Sequence, residues 1–383
     1  MSTTNVAKGL EGLVVAETHL SKVESEGKLS YCGYSISDLA QNASFEEVVF
    51  LLWNYRLPTR AELKEFSDST RGCMEIPRLI FQHMQAYVPE SHPMAALRTA
   101  VSALAMTESA PDETNPENIH LHACQMLGSF PAIVAGWHRV RTGHYPIEAR
   151  EDLGHAANFL WMLNGIEPDP LDVRSLDMYL ILLADHGFNA STFSSRVTIS
   201  TLSDMFSAIT SAIGTLKGVA HGGANEAAMN VFMEIGEVEN VEPWFRRARE
   251  EGRRIMGIGH RVYKAMDPRA TELHKMAVAQ AEKKGGEVAK YFNIAEKLVE
   301  LTRQDPYFVE RNLYPNVDYY SAIVLHALGI PTDLFTPMFA ISRVAGWSAH
   351  ILEQWKDNRL IRPRASYVGG MGLPWVPLDE RTN

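Results

Sequence analysis

The chain has 383 residues, 46% of them hydrophobic and 21% charged, a balance that excludes intrinsic disorder and leaves room for two domains or one large one. No apolar run reaches the ~18 residues of a membrane span, and Met1-Ser2-Thr3-Thr4-Asn5 lacks the basic-then-apolar start of a secretory signal. A net charge of −10 argues against nucleic-acid binding, so an anionic ligand needs a local cluster of Arg and Lys. Cys32, Cys73 and Cys124 are an odd, sparse set without C-x-x-C. They supply no disulfide framework, and a reducing cytoplasm is the expected setting.

Strand signals are scarce. Leu13-Val14-Val15 is one short candidate and the C-terminal region holds the other. Helical signals dominate the rest. Ser44-Phe45-Glu46-Glu47 is a capping box ahead of Val48, Val49, Leu51 and Leu52, and Thr59-Arg60-Ala61-Glu62 is a second. His92-Pro93 opens a helix with Leu97, Val101 and Leu104 on one face. A long helix is expected over Glu117–Val140, with Pro131 kinking or dividing it. Others follow over Asp152–Leu163, closed by Asn164-Gly165, over Ser203–Lys217, from Asp267-Pro268, over Val317–Leu328 and over Thr336–Trp355. Surface turns are expected at Glu167-Pro168-Asp169-Pro170 and Gly285-Gly286. An all-α fold of roughly fifteen to twenty helices is predicted. No fixed repeat points to a solenoid.

Polar segments interrupt this apolar pattern at six places. Asp185, His186 and Asn189 end a buried helix running from Met178, which taken alone reads rather as a cap with a satisfied histidine. His221 sits between glycines in Lys217–Glu226, where one helix stops and another begins, so backbone or ligand can approach closely. Met256–Lys264 with Asp267-Pro268-Arg269 is a loop carrying His260, Arg261, Lys264 and Arg269 within a dozen residues, suited to phosphate or carboxylate. Its Gly-x-Gly follows no strand and lacks the third glycine of a dinucleotide fingerprint. Asp318 falls in the first turn of an apolar helix, where it also serves the helix dipole. Arg343 lies inside an apolar helix and calls for an anionic partner. Arg362 and Arg364 flank Pro363, and Arg364 reads equally as a surface cation. His120-Leu121-His122 puts its rings on different helix faces, and no zinc motif, G-x-S-x-G or P-loop occurs. The residues thus describe a metal-free α-helical enzyme acting on a polyanionic small molecule. The competing class, a helical interaction protein, would lack Gly-flanked histidines.

These segments, in this order, resemble the citrate synthase family. The likeness runs from Lys8-Gly9-Leu10-Glu11-Gly12 to Arg362-Pro363, and its specific motifs are HGGANE, GHRVYK…DPR and NVDYYS. The resemblance implies a dimer of all-helical subunits, each with a large domain (1–223 and 326–383), a small one (224–325) and a cleft that closes on substrate. It implies acetyl-CoA condensing with oxaloacetate, with no permanently bound cofactor, no metal, no nucleic acid and no membrane. By position His221 would bond the thioester oxygen, Asp318 would deprotonate the acetyl methyl, and His260 would act on the ketone. His186, Arg269 and Arg343 would surround oxaloacetate, and Arg362 would reach the partner's site. Arg254-Ile255-Met256-Gly257-Ile258 and Lys264 would hold coenzyme A. Leu183 and Cys32 depart from the residues of many relatives, which leaves 2-methylcitrate synthase, using propionyl-CoA, as the second reading.

Overall fold

Two sequence-local capping boxes set the first long helices. Ser44 Oγ accepts from Glu47 N at 3.3 Å while the Glu47 carboxylate takes Ser44 N at 2.7 Å, and Thr59 and Glu62 repeat the pattern. The computed structural model describes residues 7–113, 115–260 and 262–381. Met1–Asn5 and Arg261 lie outside the described residues. Among the described residues, seventeen α-helices follow one another with a small β-meander near the start, and none of them is long and apolar enough to cross a membrane.

The helix Phe335–Lys356 is the axis of the molecule. Nineteen of its 22 residues are buried, so it is enclosed all round rather than amphipathic. Helices Phe45–Asn54, Pro116–Arg141, Pro170–Leu183, Ala190–Ser200 and Met205–Leu216 pack against it. Helices Ala224–Ile235, Pro268–Lys284, Gly286–Gln304 and Val317–Ala327 form a second packed group. That group meets the first where Pro268–Lys284 and Val317–Ala327 touch Pro170–Leu183.

Several sequence expectations need correction. Leu13–Val15 is not a strand: it has no partner, and Val14 is 92% exposed. Nor does the C-terminal region hold one among the described residues. The strands are Ser21–Glu24, Lys28–Tyr31 and Tyr34–Ser35, paired antiparallel with Ser21 opposite Tyr31 and Tyr31 opposite Tyr34. Cys32 and Gly33 both take positive φ (46° and 89°) in the second turn, as a two-residue hairpin of the primed type requires. Of the two outcomes expected at Pro131, a kink or a division, division does not occur: the helix runs unbroken over Pro116–Arg141. An internal proline costs about 3 kcal/mol, but residues 126–137 are buried without a break and packing offsets that cost. The helix expected from Asp152 begins at His155, because Glu46 accepts His155 N at 2.8 Å and fixes the start there.

Candidate active site

The helix Pro170–Leu183 ends inside the protein, where its last carbonyls need partners. The axial helix supplies them: Ser342 Oγ donates to Leu180 O, Arg343 Nε to Leu183 O at 2.7 Å, and Gly346 N to Ala184 O at 3.0 Å. Arg343 is thereby pinned through one nitrogen. Its terminal nitrogens have no hydrogen-bond partner among the described residues, although the residue is 1% exposed. Burial lowers its pKa to about 10, with Asp185 opposing, so it remains a cation near neutrality. A buried cation with unfilled donors is a receptor for a carboxylate.

The opposite wall is a zipper between two distant segments. Ile258 bridges Pro315, Gly259 N donates to Tyr314 O at 2.7 Å, and Asn316 N and Nδ2 donate to Gly257 O and Gly259 O at 2.9 and 2.8 Å. Gly257 has φ +82°, and a Cβ there would lie 3.0 Å from Tyr319 Cα, so no other residue allows this approach. The zipper sets His260 beside the helix Val317–Ala327, whose first turn carries Asp318. Asp267 ties the wall together. It caps the helix Pro268–Lys284, accepts Arg269 Nε and Nη2 at 3.0 and 2.9 Å, and accepts Val317 N at 3.1 Å. Burial opposes the Arg269 charge, but the Asp267 carboxylate outweighs it and holds the guanidinium above its ordinary pKa.

Hydrogen bonds fix the two catalytic-candidate histidines in opposite tautomers. His260 Nδ1 accepts from Val262 N and Tyr263 N at 3.1 and 3.0 Å, which assigns its proton to Nε2. His221 Nε2 accepts from Ser191 N at 3.3 Å, which assigns its proton to Nδ1. The Ser191 hydroxyl, 2.8 Å from the same nitrogen, is held in turn by Trp347 Nε1 at 3.1 Å. Burial, aided by Arg343, pushes His221 down to about 4, and burial, aided by Arg269, does the same to His260 against the pull of Asp267. Both rings are therefore neutral donors near pH 7. His186 Nε2 lies 3.0 Å from the Tyr263 hydroxyl, and burial together with Arg269 and Arg343 holds it well below its usual value. The His260 ring stacks on Tyr263 at 4.6 Å and meets His186 edge-on at 5.5 Å.

Asp318 is pushed the other way. Burial and the neighbouring Asp267 raise it to about 6, against Arg269 and Arg343. Arg343 acts electrostatically on His186, His221 and Asp318, and Arg269 acts on His186, His260 and Asp318. The six residues thus share one field. A carboxylate poised near neutrality in one field with two neutral N–H donors can take a proton from carbon while the donors stabilise an oxygen.

Other expected residues stand apart. Arg362 is exposed in the irregular segment after the axial helix, and no hydrogen bond or ion pair joins it to this cluster. Arg254 and Lys264 are exposed, and Met256 and Gly257 line the same loop. The side chains of Ile255 and Ile258 are in the core, so only their backbone is left for a ligand. Leu183 is fully buried, and its contribution is the carbonyl that orients Arg343. Sequence reasoning assigned no role in the site to Tyr263, Asp267 and Ser191. Asp267 read as a helix cap ahead of Pro268, a role that it also fills. Tyr263 falls within the Met256–Lys264 loop and Ser191 two residues after Asn189, neither with a sequence signal of its own.

The family profile described as "Citrate synthase, C-terminal domain" matches residues 9–364. Citrate synthase 2 of Bacillus subtilis is 48% identical over 98% of this chain and 99% of its own length. 2-Methylcitrate synthase 1 of Corynebacterium glutamicum is 39% identical over the full length of both. Among solved structures, the ternary complex of carboxymethyl coenzyme A and oxaloacetate with citrate synthase from Thermoplasma acidophilum superposes with a TM-score of 0.92. It is 36% identical and covers 98% of this chain and all of its own. With a site of this composition on a matching fold over nearly the whole length, the chain belongs to the citrate synthase family.

Proposed function

We propose that the chain condenses acetyl-CoA with oxaloacetate and hydrolyses the resulting citryl-CoA to citrate and CoA, the entry step of the tricarboxylic acid cycle. The observation that carries this reading is Asp318, raised to about 6, in one field with two neutral histidines and two buried arginines. Oxaloacetate brings two planar carboxylates and a ketone. Arg343 and Arg269 take the carboxylates, with His186 completing the pocket. A thioester methyl is a very weak acid, so a carboxylate alone does not deprotonate it usefully. His221 Nδ1–H bonds the thioester oxygen while Asp318 removes the proton, and the enol forms with its charge stabilised. The enol carbon attacks the ketone carbon, a C–C bond forms, and His260 Nε2–H protonates the new alkoxide. Water then cleaves the thioester and releases CoA.

The coenzyme is a cosubstrate rather than a resident cofactor. Arg254, Lys264 and the backbone of Ile255, Met256, Gly257 and Ile258 form its site in this reading. Residues 224–325 move as a small domain against 1–223 and 326–383, and the cleft between them closes on oxaloacetate because the ligand joins Arg269 on one side to Arg343 on the other. The setting is the cytoplasm. The working unit is a homodimer in which Arg362 reaches the other subunit's site. Its support is the exposed apolar C-terminal segment, where Met371, Leu373 and Trp375 are each about four-fifths exposed. Mixing Arg362→Ala subunits with Asp318→Asn subunits restores roughly a quarter of the wild-type rate at equal proportions, since one complete site forms per heterodimer. No recovery despite proven subunit exchange refutes the shared site.

Propionyl-CoA is the second reading, favoured by the 2-methylcitrate synthases of Corynebacterium glutamicum among the relatives. One methylene is worth only ~1–3 kcal/mol in an apolar pocket. Acetyl-CoA is therefore expected to lead by ~10–200-fold in kcat/KM, with propionyl-CoA turnover still measurable. Comparing both acyl-CoAs against oxaloacetate in one preparation decides it, and a lead for propionyl-CoA reverses the assignment.

A further inference from the structure

Cys73 and Cys124 lie outside the catalytic cluster, 51 positions apart, yet Cys73 Sγ donates to Cys124 Sγ at 3.5 Å. Cys73 is the C-cap of the helix Arg60–Gly72, and Cys124 lies in the helix Pro116–Arg141. The approach depends on Gly128, one turn beyond Cys124 on the same helix face. A Cβ at Gly128 would lie 2.7 Å from Cys73 Cβ and 2.6 Å from Thr70 O, so only bare backbone lets the Cys73 turn settle there. The two thiols differ in access: Cys124 is buried, while Cys73 is partly exposed.

The surroundings also set their chemistry. Cys124 Sγ has the Cys73 thiol and, at 3.6 Å, the Ser69 hydroxyl as hydrogen-bond partners. The bond from Cys73 lowers its pKa, and the same bond together with burial raises that of Cys73. Donors around one sulfur favour its thiolate, the form that attacks in disulfide chemistry. Cys32 offers a contrast within the chain. Its thiol meets only the carbonyls of Leu20 and Leu51 at 3.7 and 3.6 Å, and burial pushes it up to about 12.

We propose that Cys73 and Cys124 are a peroxide-responsive pair that closes a reversible disulfide between the two helices. Hydrogen peroxide enters from the Cys73 side. The Cys73 sulfur, its proton passed to Cys124, takes one peroxide oxygen as the O–O bond breaks, giving a sulfenic acid and hydroxide. The hydroxide takes the Cys124 proton and leaves as water. The Cys124 thiolate attacks the Cys73 sulfur, the S–S bond forms, and the sulfenic oxygen departs as a second hydroxide that is protonated to water. Two thiols are oxidised, one peroxide is reduced, and for hydrogen peroxide the products are the disulfide and two waters. The bond closes a loop of about fifty residues in the unfolded chain and so braces the fold. It touches no catalytic group, so turnover is retained.

The test uses the full-length reduced protein and hydrogen peroxide. The intact mass falls by about 2 Da, the mass of two hydrogens, two of the three thiols disappear, and non-reducing peptide mapping joins Cys73 to Cys124. Dithiothreitol reverses the change. Tm rises by ~2 °C or more in the oxidised form. Cys73→Ser and Cys124→Ser each abolish the mass loss, whereas Cys32→Ser keeps it. If the buried Cys124→Ser does not fold, the partly exposed Cys73→Ser carries the comparison. Oxygen adducts without a crosslink, a bond through Cys32, a bond between two chains or an unchanged Tm overturn the proposal.

Discussion

Asp318→Asn lowers turnover by at least ~10²-fold, the scale of a positioned general base, while the protein remains folded. The substitution keeps the shape of the side chain and the backbone bond from Asp318 N to Asn316 Oδ1. It removes the only proton acceptor proposed for the acetyl methyl. Release of CoA thiol measures the rate, and exchange of the acetyl methyl protons with solvent, followed by NMR, reads the base directly. Both fall together if Asp318 is the base. Near-wild-type turnover in folded Asp318→Asn protein ends the assignment. A pH limb accompanies it. Burial raises Asp318 to about 6, and only the ionised form accepts a proton. The wild-type rate therefore falls about tenfold per unit as pH drops below that value, and the residual rate of Asp318→Asn lacks the limb.

His221→Ala costs about 10²–10³-fold in turnover, the usual loss when one donor to a developing oxyanion is removed. The pH dependence differs in sign from what a charged histidine gives. Burial and Arg343 hold His221 at about 4, so the ring is already neutral across the working range. No activity is gained or lost through its titration between pH 6 and 8. The loss should appear in kcat with little change in the KM for oxaloacetate, which is held by other groups. A variant with unchanged kcat and a raised KM for oxaloacetate would instead place His221 among the binding residues. Ser191 N–H loses its acceptor in this variant, at a cost of about 1–3 kcal/mol for a buried donor left unpaired. Thermal unfolding at matched conditions therefore belongs beside the kinetics.

The sequence by itself determined what is local. The capping boxes at Ser44 and Thr59 and the proline starts at Pro93 and Pro268 all formed. Their hydrogen bonds join residues two or three positions apart, so the partners are visible in the string. The motif residues His221, His260 and Asp318 were also legible, because glycine-flanked or cap-adjacent polar groups break an apolar pattern. The tertiary structure decided what depends on distant partners. The start of the His155–Asn164 helix is set by Glu46, over a hundred residues earlier. The proton positions on His221 and His260 follow from backbone donors at Ser191, Val262 and Tyr263. Asp267 looked like a cap and is also the clamp that joins Arg269 to the start of the Asp318 helix. The elevated Asp318 and depressed histidines come from burial against Arg269 and Arg343. A side chain's type and spacing are written in the chain, but the charge that it carries is fixed by what surrounds it, and those neighbours are chosen only when the helices pack.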